Sequence, residues 1–126
     1  MLGTTQRNPI EEMRRRELMT ATPAQLTVKL FQRLILDLHR AATDLQQGQA
    51  GTASGHLIHA QSILSELDGT LDVNAWAGAA DLKSLYAFCL QTIASANQNS
   101  DAQAALRAIE LLTPVAEAFE QAAKTA

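Results

Sequence analysis

The sequence has little of several features that mark particular protein classes. A single cysteine, Cys89, excludes an internal disulfide, so the fold depends on packing alone and suits a reducing compartment. Aromatic residues make up only 4 % of the 126 residues, and alternating β-branched and polar stretches are lacking, which disfavours a β-sheet protein. No apolar run approaches the roughly 18 residues that span a bilayer, and we therefore expect no membrane insertion.

Positive charge is also scarce. Ten Lys and Arg stand against 13 Asp and Glu, for a formal net charge of −3, which is the wrong sign for a protein that binds phosphate backbones. We expect no nucleic-acid partner. The basic cluster at 14–16 runs into Glu17 rather than into an apolar stretch, so a signal peptide is not predicted and cytoplasmic localisation is expected.

Helix-forming residues are abundant, and they predict an all-α protein. Asn8-Pro9 and Thr22-Pro23 combine an N-cap with a proline at the first helical position. They predict a short helix to about Met19 and a long helix to near Gly48. The small residues that follow, to Gly55, are expected to form a loop. The remaining helices are predicted at about 54 to 71, from within 72–78 to about 97, and from a capping box at Ser100 to about Lys124.

Short connections force consecutive helices to lie antiparallel. The predicted fold class is therefore all-α: an antiparallel up-down-up-down four-helix bundle with a short N-terminal helix. We assign residues 1–20 to an N-terminal helical extension and residues 21–126 to the bundle. Pro114 falls on the polar side of the last helix, where a kink is expected rather than a break.

Two helices carry a wider apolar face than core contact minimally requires. At roughly 100° per residue, the apolar arc of the helix after Thr22 covers roughly 200°, and the fourth helix is similar. Three large residues also project onto the polar sides of their helices. This surplus predicts grooves for a partner helix, although a helix with several neighbours also needs a broad stripe. The candidate partner-binding residues are Val28, Phe31, Ile35, Leu36, Ile58, Tyr86 and Phe88.

Side chains that resemble reactive sites are few. His56 and His59 stand three apart without a Glu-x-x-His motif or a second acidic cluster, so we predict no metal site. Cys89 lies in an apolar stripe and is expected to be inert. There is no glycine-rich phosphate loop and no nucleophile elbow. We predict no enzymatic activity and no cofactor, with an enzyme using His39 or His56 as a distant alternative.

The order of residues from Ala21 to about Phe119 resembles the flagellin secretion chaperones, the FliS family. Departures from the family pattern are modest: Phe31 replaces the usual Tyr, Asp81 replaces Asn, and Phe119 stands where Trp is typical. Four segments carry the resemblance in register: Ala21-Thr22-Pro23-Ala24-Gln25-Leu26 with Leu30-Phe31, the stretch 60–67 (AQSILSEL) with Leu71-Asp72, the stretch 82–86 (LKSLY), and Ala96-Asn97.

The resemblance implies a cytosolic bundle that binds the disordered C-terminal segment of flagellin. Such a chaperone keeps flagellin from polymerising prematurely and delivers it to the flagellar export gate, without ATP or catalysis. The residues themselves leave an alternative from another class. In that alternative the chain is a non-catalytic oligomer or adaptor that pairs its apolar strips with another copy, as a homodimer would.

Overall fold

The computed structural model describes residues 8–125, and of residues 17–19 only the backbone. This part of the chain is entirely helical and contains no strand, which confirms the all-α prediction. None of its helices combines the length and the apolar character that crossing a membrane requires. The five helices are α1 (Pro9–Thr20), α2 (Pro23–Gln46), α3 (Ala50–Thr70), α4 (Ala79–Asn99) and α5 (Ala102–Thr125).

The first two helix starts follow the predicted caps. The Asn8 side chain accepts a hydrogen bond from the backbone N–H of Ile10. At α2 the capping box is complete, because Thr22 Oγ1 accepts from Gln25 N at 3.1 Å and Gln25 Oε1 accepts from Thr22 N at 3.0 Å. Both helices have a proline in the first turn. These local signals suffice to fix the two boundaries.

Three predicted helix starts were wrong. α4 begins at Ala79, one residue beyond the predicted range 72–78. α3 begins at Ala50 instead of near residue 54, so the expected loop to Gly55 is mostly helical. Ala53 and Leu57 are fully buried, and their packing outweighs the low helix propensity of the glycines. At α5 the cap is Asp101, whose Oδ1 accepts from Gln103 N at 3.0 Å. Ser100 instead ends α4 in the left-handed conformation, with φ 50°.

Helices α2 to α5 form a closed ring. α2 packs most extensively against α5 and α3, and α4 packs against both of these as well. Residues Gln47–Gln49 join α2 to α3, and Ser100 and Asp101 join α4 to α5. α2 and α3 run antiparallel, since Asp37 contacts His59 and the later Asp44 lies near the earlier His56. Lys83 near the start of α4 likewise contacts Asp68 near the end of α3. The predicted up-down-up-down bundle is confirmed.

The core is centred on an aromatic cluster near the start of α2. The Phe31 ring lies 5.1 Å from that of Phe119 on α5 and 6.4 Å from that of Tyr86 on α4, measured between centroids. Aliphatic and small side chains fill the remainder of the ring's interior. Pro114 is exposed within an uninterrupted α5, so the helix continues through the proline on its solvent side.

Candidate functional site

Three of the seven predicted partner-binding residues are large apolar side chains that the bundle leaves in solvent. Leu36 on α2 is 41 % exposed, Ile58 on α3 58 %, and Phe88 on α4 50 %. Their projection onto polar helix faces is therefore confirmed. We refer to Leu36, Ile58 and Phe88 as the waist residues.

The waist residues share a level along the bundle. Leu36 follows the start of α2 by 13 residues, Ile58 precedes the end of α3 by 12, and Phe88 follows the start of α4 by 9. These three helix termini lie at one end of an antiparallel bundle. At 1.5 Å per residue, the three side chains lie about 14 to 20 Å from that end. They therefore form an interrupted apolar band around the middle of the molecule.

The other predicted residues belong to the interior or its margin. Phe31 and Tyr86 are buried core residues, which corrects the expectation that they line a partner groove. Each packs against rings from neighbouring helices. Val28 and Ile35 are half-buried on α2. These two remain accessible at the edge of the α2 surface.

The breadth of the apolar arcs has a simpler cause than a client groove. α2 packs against α3 on one side and α5 on the other, so its apolar residues spread over two contacts. Leu30, Leu45 and Leu90 pack against the core from partly buried positions. A central helix with two neighbours needs a wide stripe. The width of the apolar arcs was therefore a wrong sign of surplus apolar surface for most of α2 and α4. The apolar strips of the alternative homodimer are largely buried inside the monomer.

Two clefts each include one of the seven predicted partner-binding residues. The first, of about 460 Å³, lies between the start of α2 and the end of α5. Val28 is among its walls, with Lys29, Glu120 and Lys124 supplying charge. The second, of about 250 Å³, lies between α4 and α5 and includes Phe88 and Arg107. Neither cleft contains a second predicted residue, so the structure does not join the candidates into one groove.

A polar seam joins α2 to α3. Asp37 is fully buried, yet its Oδ1 accepts from Arg33 Nε at 3.2 Å and its Oδ2 contacts His59 Nδ1. Asp44 Oδ2 is buried without a hydrogen-bond partner among the described residues, 3.6 Å from His56 Nε2. Within residues 8–125, no group of three or more His, Cys, Asp or Glu side chains is arranged to hold a metal. Both histidines of α3 thus face aspartates of α2.

Burial shifts the pKa of two side chains of α4. Burial raises the pKa of the Cys89 thiol from 9.0 to about 11. Burial, and secondarily the negative charge of Asp68, raises the pKa of Tyr86 from 10.0 to about 12. Both groups are neutral at physiological pH. Cys89 consequently lacks the thiolate character of a reactive cysteine.

Sequence reasoning missed a second set of exposed apolar side chains. Ile10 and Met13 lie on α1, and Val73 and Trp76 lie in the connection between α3 and α4. The available signal was Trp76 itself, a large aromatic residue in a segment of turn-forming residues. A lone tryptophan between helices has no helical periodicity to assign it to a core face.

Comparisons with known proteins agree on one family. The family model described as flagellar protein FliS matches residues 6–126. The flagellar secretion chaperone FliS of Bacillus subtilis (strain 168) is similar, with 26 % identity over 115 residues that cover 91 % of this chain and 86 % of that protein. The family match covers α1 and the whole helical bundle. The chain therefore belongs to the FliS family of flagellar proteins.

Proposed function

We propose that this protein is a cytoplasmic flagellar secretion chaperone that binds the disordered C-terminal segment of flagellin. It prevents premature flagellin polymerisation and brings the subunit to the flagellar export gate. Family membership supports the chaperone role, as does the name of the Bacillus subtilis relative. In this proposal residues 21–126 form the client-binding unit, and residues 1–20 form an extension.

The waist residues are the observation that carries the proposal. They occupy similar heights on three successive helices, and a different helix supplies each one. A rigid partner with one flat patch does not reach all three. A disordered segment that folds on contact follows the curve of the bundle and covers each in turn. The half-buried Val28 and Ile35 extend the band along α2.

Such binding needs no chemistry. Flagellin segments that cover the waist residues with their apolar faces are withheld from pairing with other flagellin subunits. Ordering the segment costs about 2 to 5 kcal/mol of the gross contact energy. Several separate contacts offset that cost. The flagellin segment regains its conformational entropy when it is released, which favours dissociation at the export gate.

Calorimetry with a flagellin C-terminal peptide tests the proposal. We expect binding with a negative heat-capacity change, because apolar surface is buried. A variant that combines Leu36→Ser, Ile58→Ser and Phe88→Ser should weaken binding by at least about a hundredfold, since three apolar anchors are lost. These side chains are exposed, so thermal unfolding should remain near that of the wild type.

Leu26→Ser is the matched control, because Leu26 is an exposed leucine on α2 outside the waist. It should bind the peptide as the wild type does. Absence of binding heat at every temperature contradicts the proposal. Wild-type affinity in the triple variant contradicts the assignment of the waist residues.

A further inference from the structure

The cleft between α4 and α5 carries little charge, and it contains the waist residue Phe88. The two charged residues of α4, Asp81 and Lys83, lie near the start of that helix, far from the α4–α5 connection. Of the side chains that line the cleft, Arg107 and Asp101 are charged, and the others are apolar, hydroxyl or amide groups. The chemistry of the cleft therefore depends on these two charges and on the Phe88 ring.

The two charges of the cleft differ in their partners. Asp101 caps α5, because its Oδ1 accepts from Gln103 N at 3.0 Å and from Ala104 N at 3.4 Å. The positive end of the helix dipole also offsets its charge. Arg107 is exposed and forms no ion pair within residues 8–125, although Glu110 lies one turn later on α5. A carboxylate is thus the group that complements the cleft.

The spacing of Phe88 and Arg107 limits what fits between them. Arg107 follows Asp101 by 6 residues and Phe88 precedes Ser100 by 12, so the two lie about 9 Å apart along the bundle at 1.5 Å per residue. Three extended residues cover about that distance. The cleft volume of about 250 Å³ is below the roughly 300 to 1,000 Å³ of small-molecule sites. These dimensions suit the end of a peptide chain.

We propose that the α4–α5 cleft binds the C-terminal end of the client, with an apolar side chain of its last three residues on Phe88 and its terminal carboxylate on Arg107. This assignment rests on the proposed function, in which the client is a C-terminal segment. Such a segment ends in a carboxylate whatever its sequence, and a guanidinium binds a carboxylate through two parallel N–H donors. The preceding client residues then pass Ile58 on α3 and Leu36 on α2, in the order of the helix ring.

Calorimetry of the full chain with three peptides tests the position of the carboxylate. The first is the flagellin C-terminal peptide with its free carboxylate, the second is the same sequence ending in an amide, and the third carries two added glycines before its carboxylate. The amide should bind about tenfold more weakly, because a charge-assisted contact is lost. The third peptide should bind as weakly as the amide, since its carboxylate lies about 7 Å beyond the natural end.

Variants of Arg107 identify the partner of that carboxylate. Arg107→Gln should weaken binding of the free-acid peptide about tenfold and leave that of the amide unchanged, so the two peptides should bind this variant equally. Arg107→Lys keeps the charge without the paired donors and should retain part of the difference. Arg15→Gln is the matched control, because it removes an exposed arginine of α1 outside the client-binding unit. It should keep the full difference between the two peptides.

Equal affinity of the wild type for the free acid and the amide overturns the inference and leaves the proposed function standing. A difference that persists in Arg107→Gln, with the variant folded by circular dichroism, also overturns it, because the carboxylate is then bound elsewhere. Equal weakening of both peptides by Arg107→Gln overturns it too, since Arg107 then pairs with an acidic side chain inside the client. Absence of binding by all three peptides contradicts the proposed function and the inference together.

Discussion

Asp37 and His59 meet across the α2–α3 seam, with the Asp37 carboxylate fully buried and the His59 side chain half exposed. Arg33, one turn earlier on α2, completes the contact and is also half exposed. The buried Asp37 carboxylate is thus contacted by two side chains that are themselves half exposed to solvent. This asymmetry decides which substitutions the bundle tolerates.

Removing both supporting side chains, by Arg33→Ala together with His59→Ala, should destabilise the fold by about 3 kcal/mol or more, because Asp37 is left buried without the Arg33 charge and without either side-chain contact. Asp37→Leu should change the free energy of unfolding by less than about 1 kcal/mol, since Arg33 and His59 can turn to solvent. Urea unfolding at neutral pH measures both. A larger loss from Asp37→Leu than from the double variant would contradict this account.

The single tyrosine of the chain makes its titration easy to assign. Tyr86 has a pKa of about 12 in the folded protein against 10.0 ordinarily. Because the folded-state pKa is raised, the stability that neutral Tyr86 contributes is complete below pH 10 and is lost as pH rises towards 12. Ultraviolet absorbance should show tyrosinate forming near pH 12 in the folded chain and near pH 10 in urea.

Tyr86→Phe is the control for that titration. It removes the ionisable group while keeping the ring that contacts Phe31, so stability should depend less on pH between 10 and 12. An unchanged pH dependence would assign the alkaline loss to another group.

Cys89 should react with thiol reagents only when the protein opens. Its side chain is buried, and the pKa is raised to about 11, so both access and thiolate formation are suppressed at neutral pH. Labelling with iodoacetamide should be slow and should accelerate in urea below the unfolding transition. Leu36→Cys in a Cys89→Ala background supplies an exposed thiol on the same scaffold and should label rapidly. Equal labelling rates would place Cys89 at the surface.

Phe31 and Leu36 offer a direct comparison of core and surface on one helix. Phe31→Ala should cost about 3 to 5 kcal/mol, because it removes a buried ring that contacts Tyr86 and Phe119. Leu36→Ala should cost less than about 1 kcal/mol, as expected for an exposed helical position. Urea unfolding of the two variants under the same conditions measures the difference. Similar losses would show that Leu36 contributes to the core.

The features predicted correctly from sequence are those with local causes. The Thr22 capping box needs only Gln25 three residues later, and the exposure of Leu36 follows from its angle on one helix. The start of α3 could not be predicted in this way. Its glycine-rich first turn is helical because Ala53 and Leu57 pack in the bundle, which is a tertiary effect that overrides local propensity.

The candidate site was harder to predict for the same physical reason. Periodicity gives the angular position of Phe31 on α2, but not how many helices cover that side, so a core ring was mistaken for a groove wall. Asp37 was missed because its contact across the α2–α3 interface, His59, is 22 residues away in sequence. Trp76 was missed because a loop residue has no periodic pattern. For Phe31 and Asp37 the missing information was which helix packs against them.

The close packing of α5 along α2 has a consequence for biosynthesis. α2 and α3 are sequence neighbours and can pair as soon as both have left the ribosome, whereas the α2–α5 contact spans the longest sequence separation in the bundle. Until α5 has been synthesised, one flank of α2 has no partner. The nascent chain therefore exposes apolar surface transiently. A secretion chaperone of this architecture is thus itself prone to aggregation while it is being synthesised.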